Sequence, residues 1–348
     1  MLLSDLNYQY PESLIATEPV ENSRVLVNEK TELYETDIYG LLDQFQAGDC
    51  LVLNNSKVVK KRVFCKIGPD RLHKELEVLF LNERESKPNQ WEVLFPSSRL
   101  KKEEYLLLPN GLKAELIERG KPQTVLVDQK LDLDFFHAHG ELPIPPYIQK
   151  SRDSRHQVAG DDEWYQTAWA EVYGSAASPT ASLHFKAEHL DYLKAKGVKI
   201  EYITLHVGLG TFLPIQTDNL LEHVMHSEHV SIKKEVWARI LATKEAGKKV
   251  WSLGTTVTRS LESQALNMFK EKEERYEGGT NLFITPGFDY KVIDVLLTNF
   301  HQPQTTLLSL VAAFTSLENL KNTYKYAVEN KFRLFSYGDL SVWKKDSK

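Results

Sequence analysis

The sequence predicts a three-layer α/β domain into which a small β-barrel domain is inserted. Two observations support this prediction. Short strand-like segments follow one another between about residues 62 and 130, whereas strands alternate with helices after residue 148. Strand-like segments also precede residue 60. We therefore expect residues 1–60 and 148–348 to form one discontinuous α/β domain, with residues 61–147 forming the barrel.

The predicted barrel consists of short alternating strands. Polar and apolar residues alternate over Glu75–Leu81 and again over Trp91–Phe95, which is the period of a strand with one buried face. Asn110 and Gly111 separate two further apolar runs, and Asn-Gly in that position is a strong hairpin signal. Three prolines within Leu142–Tyr147 predict an extended connector that excludes a helix and ends the barrel.

Helices and strands alternate in the remainder of the chain. Lys186–Lys196 has apolar residues on one helical face and stops at Gly197, after which Val198–Ile203 has the character of a strand. The charged run Lys270–Arg275 is predicted to be a solvated helix end or a loop. The other predicted strands are Arg24–Val27, Cys50–Leu53, Val250–Leu253, Leu282–Ile284 and Val292–Leu297, and the other predicted helices are Glu235–Lys244, Val257–Phe269, Thr305–Phe314 and Glu318–Asn330.

Composition limits the class of protein. The 348 residues are 42% hydrophobic and 26% charged, as in ordinary globular proteins, and the sequence has no apolar run of the ~18 residues that a membrane span needs. Asp5 stands where a signal peptide would be basic, so we expect a cytoplasmic protein. Cys50 and Cys65 are the only cysteines, which excludes a disulfide framework and a cysteine-built zinc site.

The formal net charge of −5 argues against a protein that coats nucleic acid through bulk attraction. Two local clusters of cations can still contact a polyanion. The first cluster consists of Lys57, Lys60, Lys61 and Arg62, and the second consists of Arg99, Lys101 and Lys102. For the second cluster the alternative is solvated surface charge, partly offset by Glu103 and Glu104.

Ligands of open α/β sheets bind beyond the carboxyl ends of the strands, and unusual residues follow three of the predicted strands. After Val198–Ile203 comes His206, which titrates near neutrality, together with Gly208, Gly210 and Thr211. Glycines without Cβ atoms let a backbone approach a small molecule closely. Ordinary turns and a hydrogen-bonded spectator histidine are the alternative.

The second strand end follows Val250–Leu253. Hydroxyls of Thr255 and Thr256 and the backbone N–H groups there can bind an anion at a helix N-terminus, and Arg259 can pair with that anion. Helix capping and a surface ion pair are the alternative.

The third strand end follows Val292–Leu297. Asn299 can donate to and accept from a nucleobase edge, and His301 can move a proton. Both side chains can equally satisfy buried backbone groups.

A cluster of histidines precedes a carboxylate at Glu228. His226 stands two residues before it, so on a strand the two would share one face as a base and its orienting partner. The spacing of His223, His226 and His229 does not suit one face of a strand and matches no zinc motif, so we expect no metal.

Taken together, these segments resemble the S-adenosylmethionine:tRNA ribosyltransferase-isomerase family of queuosine biosynthesis. The matching stretches run in order through nearly the whole chain. They are LPIPPYI (142–148), YQTAWAE (165–171), GSAASPTASLHF (174–185), ITLHVGLGTFLPI (203–215), HVMHSEH (223–229), GTTVTRSLES (254–263), LFITPGFDYKVIDVLLTNFH (282–301) and FRLFSYGD (332–339), with a weaker match at GDCLVLNNSKVV (48–59).

The resemblance implies an α/β domain with an inserted β-barrel that needs no metal or redox cofactor. Members of the family use S-adenosylmethionine as a ribosyl donor and 7-aminomethyl-7-deazaguanine at the tRNA wobble position as the acceptor. The products are epoxyqueuosine in tRNA, adenine and methionine. The implied path begins with loss of the proton on the 5′ carbon beside the sulfonium, continues with expulsion of adenine, and ends with alkylation of the aminomethyl nitrogen and rearrangement of the ribose. We expect a monomer that binds S-adenosylmethionine and the anticodon stem-loop.

This chemistry requires a base, an acid, a carboxylate clamp and a pocket for an extruded base. We assign base or acid roles to His184, His206 and His226, with Glu228 as orienter, and we place His301 near the nucleobase. The expected substrate contacts are Thr180, Gly208, Gly210, Thr211, Thr255, Thr256, Arg259 and Asn299, and the expected RNA contacts are Lys57, Lys60, Lys61 and Arg62.

The chain departs from the family pattern inside these loops. Ser182 replaces a glycine, Asn55 replaces an aspartate and Lys57 replaces an arginine. The lysine exchanges the guanidinium fork of arginine for a point charge. Val257 and Thr258 stand where the family usually has Ser-Val, and Gln302 and Gln304 replace a leucine and, commonly, a lysine. The alternative function is therefore a divergent paralogue that binds S-adenosylmethionine or RNA without this reaction or with another acceptor. A metal-dependent hydrolase would need ligands that the sequence does not supply.

Overall fold

The computed structural model describes residues 2–30, 32–84, 87–208, 215 and 217–345. Within these ranges a ten-stranded sheet carries helices on both faces, and a six-stranded barrel closes separately. The predicted fold class is confirmed. Alternating strands and helices bury both faces of a mixed sheet whose central strands are parallel, whereas consecutive strands pair with their neighbours and close into a barrel.

Strands from both ends of the chain form the large sheet. These strands are β1 (Val25–Glu29), β2 (Glu32–Thr36), β3 (Cys50–Asn54), β12 (Lys199–Leu205), β13 (Glu228–Lys233), β14 (Val250–Leu253), β15 (Lys270–Glu271), β16 (Arg275–Thr280), β17 (Val295–Asn299) and β18 (Leu340–Lys344). Their order in the sheet is β15-β16-β13-β12-β3-β14-β17-β18-β1-β2, and β12, β3, β14 and β17 run parallel to one another. A separate parallel pair consists of β4 (Ser56–Val58) and β11 (Val172–Ser175).

The barrel strands are β5 (Arg62–Gly68), β6 (Arg71–Glu83), β7 (Gln90–Leu94), β8 (Tyr105–Leu107), β9 (Lys113–Glu118) and β10 (Gln123–Val127). The barrel closes in the order β10-β7-β6-β5-β8-β9. The predicted hairpin at Asn110 and Gly111 is confirmed, because β8 pairs antiparallel with β9 and Gly111 adopts φ +87° in the turn. Buried side chains such as Val63, Phe80 and Trp91 fill the interior.

Most of the described helices cover the two faces of the large sheet, whereas Phe135 and Phe136 of the helix Leu133–His139 pack into the barrel core. The helices are α1 (Ile38–Leu42), α2 (Leu133–His139), α3 (Pro146–Arg152), α4 (Asp161–Trp164), α5 (Ala187–Ala195), α6 (Lys234–Glu245), α7 (Thr255–Ala265), α8 (Thr306–Phe314) and α9 (Leu317–Glu329). Leu41 of α1 and Leu193 of α5 belong to the core on one face, whereas α6, α7, α8 and α9 contribute to the core on the other face. Short 3₁₀ turns occur at Leu3–Leu6, Glu12–Leu14, Ser97–Arg99, Thr180–His184 and Leu220–Glu222. No helix in the described ranges is both long and apolar enough to span a bilayer.

Four local predictions are wrong. Helix α3 begins at Pro146, inside the stretch predicted to exclude helix, because proline is tolerated in the first turn, where its missing N–H would have no partner. Leu282–Ile284 forms no strand. Ile284 is buried, and its carbonyl accepts from the hydroxyl of Ser309. The third error is at Lys270 and Glu271, which form β15 rather than a helix end or loop. The predicted strand Val292–Leu297 begins only at Val295.

Candidate active site

The carboxyl ends of the parallel strands lie at one edge of the large sheet. His206 follows β12, Asn54 ends β3, Gly254 follows β14 and Asn299 ends β17. The backbone N–H of Gly254 donates to the carbonyl of Leu297 at 2.8 Å, so the ends of β14 and β17 are directly joined. Three segments that the sequence singles out are therefore neighbours at the edge where open sheets bind ligands.

His206 is partly buried, with one ring nitrogen engaged. Its Nδ1 lies 2.8 Å from the hydroxyl of Ser56, the first residue of β4. Burial, with smaller contributions from His229 and the cation of Lys61, lowers the His206 pKa to about 4. The imidazole is therefore neutral at pH 7.

Gly174 provides the space for the His206 ring. A Cβ atom built on Gly174 would lie 2.7 to 2.8 Å from three atoms of that ring, and Gly174 adopts φ +154°. Residues with a side chain rarely adopt that backbone conformation, and the distance from the built Cβ to the ring is shorter than real Cβ contacts. Only glycine fits here while the imidazole keeps its position.

The segment that carries Gly174 is tied to the end of β12. The hydroxyl of Ser175 accepts from the N–H of Val207 at 2.9 Å and donates to the carbonyl of Ala177 at 2.7 Å. The N–H of Ala176 donates to the carbonyl of Val207 at 2.9 Å. Because Ser175 is fully buried, these bonds hold the serine- and alanine-rich stretch against the sheet edge.

A chain of side-chain hydrogen bonds crosses the end of β17. The Thr180 hydroxyl donates to Oδ1 of Asn299 at 2.8 Å, and Nδ2 of Asn299 lies 3.0 Å from Nε2 of His184. The other ring nitrogen of His184 lies 2.8 Å from the hydroxyl of Ser23. Burial, with a smaller contribution from the Arg333 cation, lowers the His184 pKa to about 4. Both nitrogens of the neutral His184 ring therefore have partners. Ser23 holds the ring through Nδ1, and the ring holds the amide of Asn299 through Nε2.

The N-terminus of α7 lies at this edge. Gly254 precedes the helix with φ +97°, and no side chain among the described residues caps its first N–H groups. The Thr256 hydroxyl lies 3.5 Å from Nδ2 of Asn54, whereas Thr255 is buried. Uncapped N–H groups and the helix dipole favour a negative group in this position.

Glu228 and Arg259 form a buried ion pair. Nη1 of Arg259 donates to Oε2 of Glu228, and the backbone N–H of Gly208 donates to the second carboxylate oxygen at 3.0 Å. Both side chains are less than a tenth exposed, and Arg259 also donates to the carbonyls of Leu282 and Thr280. The guanidinium predicted to hold a substrate anion therefore has a protein partner.

The predicted pairing of His226 with Glu228 is wrong. β13 begins only at Glu228, so His226 lies outside the strand on which the two would share a face. The ring of His226 is exposed, whereas the carboxylate of Glu228 is buried against Gly208 and Arg259. In the described residues no three His, Cys, Asp or Glu side chains are grouped as a metal ion would require.

His301, two residues after Asn299, is buried. Its Nε2 lies 2.8 Å from the Thr298 hydroxyl, its N–H donates to the hydroxyl of Tyr324, and its carbonyl accepts from Tyr8. Burial lowers the His301 pKa to about 3. These contacts tie the end of β17 to α9 and to the N-terminal segment.

The first cationic cluster is largely engaged within the protein. Lys60 pairs with Asp162 at 2.7 Å, and Nζ of Lys61 donates to the carbonyl of Leu81 at 2.6 Å. Arg62 is 2% exposed and pairs with Glu141 at 2.7 Å. Lys57 lies over the ring of Tyr173 at 4.7 Å. Surface contact with RNA by these four cations stays a prediction that the burial of Arg62 weakens.

Ser182 and Asn55 differ from the family pattern that the sequence resembles. Gly210 and Thr211 lie outside the described residues. Ser182 is fully buried, and its hydroxyl has no hydrogen-bond partner in the described part of the chain. Asn55 accepts from the Thr204 hydroxyl and donates to Glu171. The substituted Asn55 thus joins the ends of β3 and β12.

Sequence reasoning missed three polar residues of the site. Asn54 is fully buried and bonds both the N–H and the carbonyl of Leu205, at 3.0 Å each. Ser56 and Ser23 each hold one ring nitrogen of a histidine. Asparagine and serine are common in loops, and nothing in their spacing indicates a partner more than 100 residues away.

The fold and this edge define an α/β protein whose parallel strands present neutral imidazoles, an amide and an open helix N-terminus to a ligand, joined to a β-barrel. A family model described as "Queuosine biosynthesis protein" matches residues 3–342. The chain belongs to this family of queuosine biosynthesis proteins.

Two relatives agree with that assignment. The S-adenosylmethionine:tRNA ribosyltransferase-isomerase of Sulfurihydrogenibium sp. (strain YO3AOP1) is 39% identical over 349 residues, covering 97% of this chain and 98% of that protein. The crystal structure of an S-adenosylmethionine tRNA ribosyltransferase from Thermotoga maritima superposes with a TM-score of 0.55 at 29% identity, covering 98% of this chain and 100% of that one.

Proposed function

We propose that this protein transfers and isomerises the ribosyl moiety of S-adenosylmethionine onto 7-aminomethyl-7-deazaguanine at the wobble position of tRNA. The products are epoxyqueuosine-tRNA, adenine and methionine. Family membership and near full-length similarity to an enzyme named for this reaction support the proposal. The observation that carries it is the convergence of His206, Asn299 and the α7 N-terminus at one sheet edge.

His206 is the proposed base for the 5′ proton of S-adenosylmethionine. When its Nδ1–H donates to Ser56, the lone pair of Nε2 is free to accept that proton. Because burial lowers the His206 pKa, the ring is neutral before the reaction. A neutral ring also avoids repulsion of the sulfonium cation.

Asn299 is the proposed contact for a nucleobase, and His184 is a positioning residue for it. Both ring nitrogens of His184 are engaged, by Ser23 and by Asn299, which favours positioning over proton transfer. An amide held by Thr180 and His184 offers a fixed donor and acceptor to a base edge.

The N-terminus of α7 is the proposed site for the carboxylate of the methionine moiety. Thr255 and Thr256 supply N–H groups and a hydroxyl there. Because Arg259 is held by Glu228, its proposed role is to anchor the loop at Gly208 beside the substrate. We also propose Gly210 and Thr211 as substrate contacts and His226 as a further base or acid.

The remaining expectations about cofactor and context are also proposals. S-adenosylmethionine acts as a substrate, and the reaction uses no metal or redox cofactor. tRNA binds through its anticodon stem-loop, and the protein acts as a monomer in the cytoplasm.

Adenine release tests the proposed function. The protein is incubated with S-adenosylmethionine and an anticodon stem-loop RNA that carries 7-aminomethyl-7-deazaguanine, with the same RNA carrying guanine as the control. We expect adenine to form only with the modified RNA, together with an increase in the mass of that RNA. No adenine release, or release that is independent of the modified base, would contradict the proposal.

A further inference from the structure

A cleft on the barrel is lined by more cationic side chains than carboxylates. It has a volume of about 730 Å³ and is bounded by β5, β6 and β7, by the segment that precedes β10, and by the connector around Pro143 and Ile144. Its lining includes four cations, Arg62, Arg99, Lys121 and Arg155, and one carboxylate, Glu77. The excess of positive charge favours an anionic ligand.

Three of these cations are available to such a ligand. Arg99, Lys121 and Arg155 are exposed, and within the described residues none of them lies within 4.0 Å of a carboxylate. Glu104, which the sequence suggested as an offset for Arg99, pairs with Arg71 instead. The guanidinium of Arg155 lies 5.7 Å from the ring centroid of Phe64, which positions it without neutralising it.

Arg62 adds a buried and incompletely bonded guanidinium. Its Nη2 donates to Glu141, but Nε and Nη1 find no hydrogen-bond acceptor among the described residues although the side chain is only 2% exposed. An unpaired buried charged donor is costly, so such groups normally have a partner. The part of the Arg62 charge that Glu141 does not offset adds to the positive potential of the cleft.

The cationic surface continues beyond the first cleft. A neighbouring cleft of about 450 Å³ shares Leu76 and Arg99 with the first and adds Lys74 and Lys101. The cations therefore extend along the barrel rather than surrounding one point. A chain of phosphates fits such a surface better than a single small anion.

A short stretch of chain links the first cleft to the candidate active site. Arg62 lines the cleft, and Ser56, six residues earlier, lies 2.8 Å from Nδ1 of His206. Because six residues span at most about 22 Å, an RNA held in the cleft can extend to the carboxyl edge of the sheet. The apolar walls, which include Phe95, Pro96 and Pro143, suit the faces of riboses or bases.

We infer that the two adjoining clefts of the barrel bind the sugar-phosphate backbone of the RNA substrate, with Arg99 and Lys121 each contacting a phosphate and the buried charge of Arg62 strengthening the positive potential. This inference rests on the proposed function and specifies where the RNA is held. It assigns the phosphate contacts to Lys121 and to Arg99 of the second cationic cluster, whereas Arg62 of the first cluster contributes only its charge.

The test is RNA binding by a charge-reversed variant. Fluorescence anisotropy measures the affinity of Arg99→Glu/Lys121→Glu for the labelled anticodon stem-loop RNA over a range of salt concentrations. The matched control is Lys130→Glu/Lys321→Glu, which changes the charge equally at exposed lysines outside both clefts. Thermal unfolding and S-adenosylmethionine binding verify that both variants are folded.

We expect the cleft variant to bind RNA at least about tenfold more weakly than the control at 0.15 M salt, with a salt slope reduced by about two. Equal affinity and equal slope in the two variants would overturn the inference, as would a wild-type protein that does not bind this RNA. Because binding requires no turnover, the result is separate from the proposed function, whose failure would appear as a lack of RNA-dependent adenine release.

Discussion

The hydroxyl of Ser56 lies 2.8 Å from Nδ1 of His206, although the two residues are 150 positions apart in the chain. Ser56 follows β3 and His206 follows β12, and these strands are parallel neighbours. The sheet thus brings a buried hydroxyl to a partly buried imidazole at its carboxyl edge. This bond determines which ring nitrogen is left for a substrate.

Replacing Ser56 with alanine should impair catalysis more than substrate binding. We expect the kcat of Ser56→Ala to fall about tenfold or more with little change in the KM for S-adenosylmethionine, because the His206 ring loses its orienting partner. A double-mutant cycle with His206→Ala tests the coupling, and the double variant should be no slower than His206→Ala alone. An unchanged kcat in Ser56→Ala would show that the ring needs no such partner.

Gly174→Ala should displace the His206 ring. The added Cβ would lie about 2.7 Å from the ring, so either the imidazole or the backbone must move. We expect kcat/KM to fall about a hundredfold while circular dichroism stays unchanged. Gly247→Ala is the control for backbone strain, because Gly247 also has a positive φ but nothing lies within 4 Å of its built Cβ. Similar activity in the two variants would remove the steric explanation.

The Glu228–Arg259 pair should be strongly coupled in stability. Breaking a buried ion pair typically costs about 3 to 5 kcal/mol, because the remaining charge is left buried without a partner. We expect Glu228→Ala and Arg259→Ala each to lose stability in that range in urea unfolding, and the double variant to lose much less than the sum. Additive losses would show that the two side chains act independently.

Stability should fall as the pH drops from about 6.5 towards 4. Burial lowers the pKa values of His301 to about 3 and of His184 and His206 to about 4, so in this window the unfolded chain binds protons that the folded chain does not. Each such histidine contributes a slope of up to about 1.4 kcal/mol per pH unit. His301→Gln should therefore show a shallower dependence than the wild type between pH 6.5 and 5. The free energy of unfolding of both proteins is measured by urea titration at pH 6.5 and pH 5. An equal change in the wild type and in His301→Gln would contradict the lowered pKa of His301.

Local patterning predicted most of the fold. The four barrel segments located in the sequence and the helix over Lys186–Lys196 followed from period and turn signals, and they overlap β6–β9 and α5. The barrel strands β5 and β10 were not located individually, and β2, β13, β16 and β18 were missed. β16 contains Gly278 and Gly279 and gains its place by pairing with β13, a long-range contact that a local pattern does not reveal.

The sequence predicted which residues lie at the site better than it predicted the contacts between them. His206, Asn299 and Thr256 do lie at one edge, because the carboxyl ends of parallel strands must meet there. The partner of Arg259 was not predicted, since Glu228 reaches it only through the position of β13 beside β12. Likewise, nothing in the sequence near Ser23 and Ser56 indicated that each would hold a histidine ring.

The measurement that tests the central claim most directly is single-turnover adenine release, with the modified anticodon stem-loop RNA, by wild type, His206→Ala, Asn299→Ala and His73→Ala. His73 is an exposed histidine on β6 of the barrel and controls for the loss of an imidazole. We predict RNA-dependent release by the wild type and His73→Ala, and release at least about a hundredfold slower in the two site variants, with circular dichroism showing that all four proteins are folded. Release at the wild-type rate by both His206→Ala and Asn299→Ala would contradict the claim that this sheet edge carries out the reaction.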